Sequence, residues 1–159
     1  MISHEIDLQI ACSDTLPVND ECLISWVKMT LDEHESTAEL TLRFVDAAEI
    51  TDLNKTYRKQ DKSTNVLAFP SDIPDNIELD YPFIGDVVVC PSVIQKESLE
   101  QNTPLDAHLA HIVIHGVLHL LGYDHIEEQD FKIMKAMEIK LLARLGFASP
   151  YHLEVSDFE

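Results

Sequence analysis

The sequence predicts an α+β fold, a small and mostly four-stranded mixed sheet with helices packed against it. Three observations carry that prediction. Up to Cys90 the chain holds short stretches with apolar residues at every second position, interrupted by helical segments. From Pro91 on, apolar residues recur at helical spacing instead. One late segment, 105–121, is apolar nearly all round, and a helix of that kind has to be buried with the other elements arranged about it.

The elements follow in order. Ile6, Leu8, Ile10 and Cys12 alternate with polar residues and mark a half-buried strand. Asn19 and Asp20 can cap the next helix, in which Leu23, Trp26, Val27 and Leu31 share a face. Leu40, Leu42 and Phe44 mark a second strand over 39–45. Asp46 or Thr51 opens a short helix, 49–58, that turns Ile50, Leu53 and Tyr57 inward. The polar turn 60–65 delivers the chain into a short strand, 66–69, closed by Pro70. Residues 71–83 combine prolines and acidic side chains with no Lys or Arg, which describes an exposed loop. The β-branched run 84–90 is a central strand.

Pro91 or Ser92 begins another helix, and Thr103 as N-cap with Pro104 at the first helical position opens the apolar one. A last amphipathic helix spans 127–145, with Phe131, Met134, Met137, Glu138, Leu141, Leu142 and Leu145 near one another in period, and Gly146 stops it. Residues 1–150 are expected to form one catalytic domain, followed by an acidic tail, 151–159.

A chain of 159 residues is long enough to bury a real core. It has no apolar run of membrane-spanning length, and Met1–Glu5 lacks a basic segment leading into an apolar stretch, so a cytoplasmic protein with no membrane partner is expected. Cys12, Cys22 and Cys90 form no Cys-x-x-Cys pair and suit apolar packing in a reducing compartment. The net charge of −18 argues against a protein that grips a polyanion along its whole surface. Its cations are unevenly spread, however: Lys55, Arg58, Lys59 and Lys62 stand together, while from Ser63 to Phe131 the only Lys or Arg is Lys96. The result is a local basic patch on an acidic molecule, which by charge alone would be read as a solvated helix end.

The chemistry concentrates in His115-Gly116-Val117-Leu118-His119-Leu120-Leu121-Gly122-Tyr123-Asp124-His125. In a helix His115 and His119 lie one turn apart on one face, so one ion can take a nitrogen from each. Gly122 permits the positive φ that ends the helix, and three further residues can return His125 to the same ion. Three imidazoles with a fourth position left to water is the ligand set of a catalytic Zn2+ ion. His111 is two turns from His119, too far to share its ion, and is a candidate for the surrounding shell, as is Asp124; His108 is farther still. The spacing is that of zincin-type proteases, yet the position that carries their general base is Gly116. Peptide hydrolysis by that route therefore lacks its base, and the glycine leaves empty space beside the ion.

This motif, together with Leu53-Asn54-Lys55-Thr56-Tyr57-Arg58-Lys59-Gln60-Asp61-Lys62-Ser63-Thr64-Asn65-Val66-Leu67-Ala68-Phe69-Pro70 and the strand beginning Ile84-Gly85-Asp86-Val87, resembles the YbeY endoribonucleases, also called rRNA maturation factors. The resemblance covers the middle and C-terminal two-thirds of the chain, to which the first 35 residues add little. Ser63 and Ala68 depart from the residues common in the family at those positions. The resemblance implies a metal-dependent endoribonuclease directed at single-stranded RNA, acting in formation of the small-subunit rRNA 3′ end and in ribosome quality control. It implies His115, His119 and His125 as zinc ligands and Arg58 as the family's important arginine.

Arg58 is permanently charged and matches a phosphate bidentately, so opposite the ion it could clamp the phosphodiester while metal-bound water attacks phosphorus. Lys59 and Lys62 are candidate contacts to the RNA backbone. With so few cations, rRNA is expected to be positioned mainly by the ribosome, its small subunit or protein partners, with no role for DNA. Two other readings stay open: a zincin-like peptidase, and a non-enzymatic ribosome-assembly factor whose zinc is structural.

Overall fold

The computed structural model describes residues 4–34, 37–71, 83–124 and 126–151. The alternating segments become strands β1 (His4–Ala11), β2 (Ala38–Val45), β3 (Val66–Pro70) and β4 (Phe83–Val89), joined in one sheet of order β1-β2-β4-β3. β1 and β4 run parallel to the central β2, and β3 pairs antiparallel to β4, which makes the sheet mixed as expected. The helices are α1 (Asp20–Asp32), α2 (Ala47–Arg58), α3 (Pro91–Gln101), α4 (Leu105–Leu120) and α5 (Glu128–Arg144).

Strand alternation divides the residues between two faces. Leu40, Leu42, Phe44, Val87 and Val89 meet α1 and α4 in the main core, with Leu23, Trp26, Val27, Leu109, Val113, Ile114 and Val117 from the helices. On the opposite face Leu67 and Val88 join Ile50 of α2 in a smaller cluster. Each fully buried aliphatic or aromatic side chain of this kind stabilises the fold by about 1.5–3 kcal/mol. The apolar helix α4 touches α1, α3, α5, β3 and β4, so it is the core helix its composition called for. Among the described residues no helix is long and apolar enough to cross a membrane.

Local chemistry sets the helix ends. Asn19 caps α1, its side chain accepting from the Cys22 N–H at 2.9 Å. α4 closes in a Schellman motif: Gly122 has φ +100°, its N–H donates to the His119 carbonyl at 3.1 Å, and the Tyr123 N–H donates to the Leu118 carbonyl at 3.0 Å. Gly146 ends α5 by the same pair of bonds, to Ala143 and Leu142.

Three expectations need correction. Pro104, not Thr103, occupies the cap position of α4 and makes no side-chain cap hydrogen bond. In the first turn the Ala107 N–H donates instead to the Asp106 carboxylate at 2.8 Å, which does the work expected of Thr103. Tyr57 does not turn inward: it is 61% exposed, because α2 packs on the sheet through Ile50 and Leu53 and its last turn overhangs the edge strand β3. The third concerns Gly116. A Cβ built there would stand 2.6 Å from Val87 Cγ1 and 3.1 Å from Val66 Cγ2, so the space beside this glycine is filled by the sheet. Gly116 allows α4 to lie against β3 and β4. The predicted loop falls mostly, and the acidic tail almost wholly, outside the described residues.

Candidate active site

α4 presents His108, His111, His115 and His119 along one stripe, and the first three have carboxylate partners. His108 Nε2 meets Glu97 Oε1 at 2.9 Å, which ties α4 to α3. His111 Nε2 meets Glu138 Oε1 at 2.8 Å, and His115 Nδ1 meets Glu138 Oε2 at 2.6 Å. The Tyr151 hydroxyl also donates to Glu138 Oε1.

Glu138 comes from α5, and its side chain is fully buried. Burial pushes its carboxyl pKa up, but the hydrogen bonds from His111 and His115 outweigh burial and hold the group at about 2. It is therefore a carboxylate at neutral pH and fixes both imidazoles. Sequence reading placed Glu138 on the inner stripe of α5 without giving it a role. The available signal was a single acid among Met134, Leu141 and Leu142, since a buried charge requires a partner.

With Nδ1 turned to Glu138, His115 directs Nε2 toward His119. The two Nε2 atoms are 3.1 Å apart. Two imidazole nitrogens bound to one tetrahedral zinc ion at its usual bond length stand about 3.3 Å apart, so the pair fits such an ion closely. A carboxylate behind a ligating histidine is the usual outer support of a metal site. His111, His115 and Glu138 also form a group whose potential ligand atoms lie within 4.8 Å of one another, compatible with a metal. There, the 2.6 and 2.8 Å contacts are hydrogen-bond lengths, shorter than the spacing of ligands around an ion. His125 lies outside the described residues.

His115 and His119 open onto a cleft of about 690 Å³ whose walls also include Arg58, Thr64, Asn65, Ala68, Gly116, Tyr123 and Asp124. Arg58 arrives from the last turn of α2, on the opposite face of the sheet, by crossing β3. Its Nη2 donates to the Ala68 carbonyl at 2.7 Å, and its guanidinium carbon lies 5.4 Å from the Phe69 ring centre. Both partners are neutral, and among the described residues no carboxylate pairs with Arg58.

Lys59 and Lys62 are exposed and are not among the cleft's lining residues. Lys59 ends α2 in the left-handed conformation, which turns the chain away from Arg58. Asp124 lines the cleft and accepts from the Ile126 N–H at 3.3 Å. Tyr123 is positioned by its hydroxyl, 2.9 Å from His34 Nε2 at the end of α1.

The cleft thus unites two segments far apart in the chain. A family model described as Endoribonuclease YbeY matches residues 9–146. The chain belongs to the YbeY endoribonuclease family. It is 49% identical over 158 residues to Endoribonuclease YbeY of Legionella pneumophila (strain Corby), an alignment covering 99% of this chain and 100% of that protein. It is 48% identical over 153 residues to Endoribonuclease YbeY of Pseudomonas putida (strain W619), covering 96% of each. The solution structure of TM1509 from Thermotoga maritima matches with a TM-score of 0.55 and 26% identity, over 87% of this chain and 91% of that one.

YbeY membership places the chain among nucleases that act on phosphodiester bonds. It also extends the likeness beyond the two central motifs. The alignments with YbeY relatives take in β1 and α1, although the first 35 residues carry no recognisable motif. The reason is physical: those elements supply core face and a parallel neighbour for β2, roles that many apolar sequences can fill.

Proposed function

We propose that this chain is a zinc-dependent endoribonuclease for single-stranded RNA, acting in maturation of the small-subunit rRNA 3′ end and in ribosome quality control. The observation that carries the reading is the cleft itself, which sets a guanidinium with no carboxylate partner among the described residues beside two imidazole nitrogens at ligand spacing. His115, His119 and His125 would hold the ion, with Glu138 fixing the ring of His115. When bound there, zinc supplies Lewis acidity and brings water toward a neutral pKa.

Arg58 binds the phosphodiester. Its fork of N–H donors matches two phosphate oxygens, and its charge opposes the negative charge that grows at phosphorus during hydrolysis. Asp124 orients groups at the cleft mouth. Lys59 and Lys62 serve, at most, the flanking backbone. The ribosome or its protein partners, in the cytoplasm, hold the substrate, because a chain of net charge −18 gains little from free RNA electrostatically. A peptidase reading would need a glutamate at position 116, where Val87 and Val66 leave no room for even a Cβ.

The test is cleavage of a single-stranded rRNA fragment by purified, zinc-loaded protein. Wild type should cut, while His115→Ala and Arg58→Ala should each abolish cutting with circular dichroism unchanged. Cutting that survives both substitutions would overturn the proposal.

A further inference from the structure

Tyr57 and Phe69 stand just outside the cleft with no part in the chemistry above. Side chains on β3 alternate, so Ala68 and Pro70 line the cleft while Leu67 and Phe69 face α2. β3 is also an edge of the sheet, and Arg58 spans that edge. Tyr57, its neighbour in the last turn of α2, lies against Phe69 edge-on, with ring centres 5.3 Å apart. It is the more exposed of the two aromatic rings that stand out from the described surface, at 61% against 39% for Phe131.

Arg58, Phe69 and Tyr57 are therefore joined by two consecutive contacts: cation over ring, ring against ring. Arg58 lines the cleft with His115 and His119. Lys55 and Lys59, both exposed, stand two residues either side of Tyr57 in sequence, while Arg43, Glu49 and Asp86 line the shallow surface that Tyr57 and Phe69 share.

We infer that Tyr57, backed by Phe69, is a stacking platform for one unpaired base of the RNA, placed beyond Arg58 from the histidine site. This rests on the proposed nuclease reading and deepens it. A stacking platform accepts a base only when it is unpaired, which supplies a structural origin for single-strand preference. It also suits an acidic protein, since stacking adds affinity without adding charge. Sequence tolerance follows, because every base has a π-face.

The experiment uses the full chain and short single-stranded RNAs carrying 2-aminopurine at successive positions. Binding is measured on metal-free protein, where the strand stays intact. One position should be quenched by wild type and by Tyr57→Phe, and unquenched by Tyr57→Ala and by Tyr57→Leu, which keeps apolar bulk without a π-face. Tyr57→Ala should weaken binding about tenfold. That factor should be the same at low and high salt, whereas the loss caused by Arg58→Ala should shrink as salt rises. In cleavage by zinc-loaded protein, the Tyr57→Ala defect should appear as a raised KM.

Equal affinity and an unchanged quenching pattern in Tyr57→Ala would overturn the platform and leave the nuclease reading intact. Failure of zinc-loaded wild type to cleave would overturn the nuclease reading, and the quenching pattern would still decide the platform. A Tyr57→Ala loss that disappears at high salt would also overturn it, since the ring would then be acting only through its charged neighbours.

Discussion

Glu138, on α5, holds Nδ1 of His115, on α4, at 2.6 Å. The hydrogen bond fixes which nitrogen of His115 points at His119, and it ties the orientation of a candidate ligand to the packing of a helix that lines none of the cleft. Glu138→Gln, similar in volume, should lower zinc affinity 10–100-fold, the range typical of lost outer support. Competition with a chromogenic chelator measures this directly. Unchanged affinity would mean that the metal does not use His115 Nε2.

The same carboxylate carries a pH signature. Its folded pKa of about 2 lies below the ordinary 4.5, so its contribution to stability is fully present above pH 4.5 and is lost as pH falls toward 2. That difference corresponds to about 3 kcal/mol. In urea titrations of metal-free protein, the stability gap between wild type and Glu138→Gln should close progressively as pH falls from 4.5 toward 2. A gap that does not narrow in acid would show that the hydrogen bonds do not depend on the charge.

Gly116→Ala should destabilise the fold even though alanine is the better helix former. The new methyl would lie 2.6 Å from Val87 Cγ1, a stiff branched side chain on β4 with little freedom to yield. Overpacking of this kind costs about 1–3 kcal/mol, more than the roughly 1 kcal/mol gained in helix propensity. Thermal unfolding should show the loss, and Val87→Ala in the same chain should restore part of it. Simple additivity of the two substitutions would count against the close approach.

Arg58→Lys separates charge from shape. Arg58 anchors itself on the Ala68 carbonyl and the Phe69 ring while reaching the cleft, and an ammonium cannot serve all three. Arg58→Ala should bring cleavage below detection, a loss in kcat of at least the roughly 100-fold expected for a missing transition-state donor, with Arg58→Lys recovering only a small part. Full activity in the lysine variant would reduce the arginine's role to a general positive field.

Much of this protein was determined by sequence alone. The four strands and five helices fall close to where alternation and helical period put them, and the glycines at 122 and 146 end the helices they were expected to end. The His115–His119 spacing and the basic segment around Arg58 identified the family before any fold was in view. These features are local: period, turn chemistry and residue type are written within one or two helical turns.

Tertiary structure decided what depends on elements distant in the chain. Glu138 gains a role because α5 packs on α4, 23 residues from the histidine it holds. Gly116 is explained by the side chains of β3 and β4, not by the chemistry of the ion. Tyr57 faces outward because α2 ends over a sheet edge, a position that amphipathic period alone cannot reveal. Even the motif opening at His115 reads differently in the fold: its spacing marks candidate ligands, while packing orients His115 toward His119 and brings Arg58 into the same cleft. Burial and partner choice are properties of the assembled core, and no window of sequence contains both sides of such a contact.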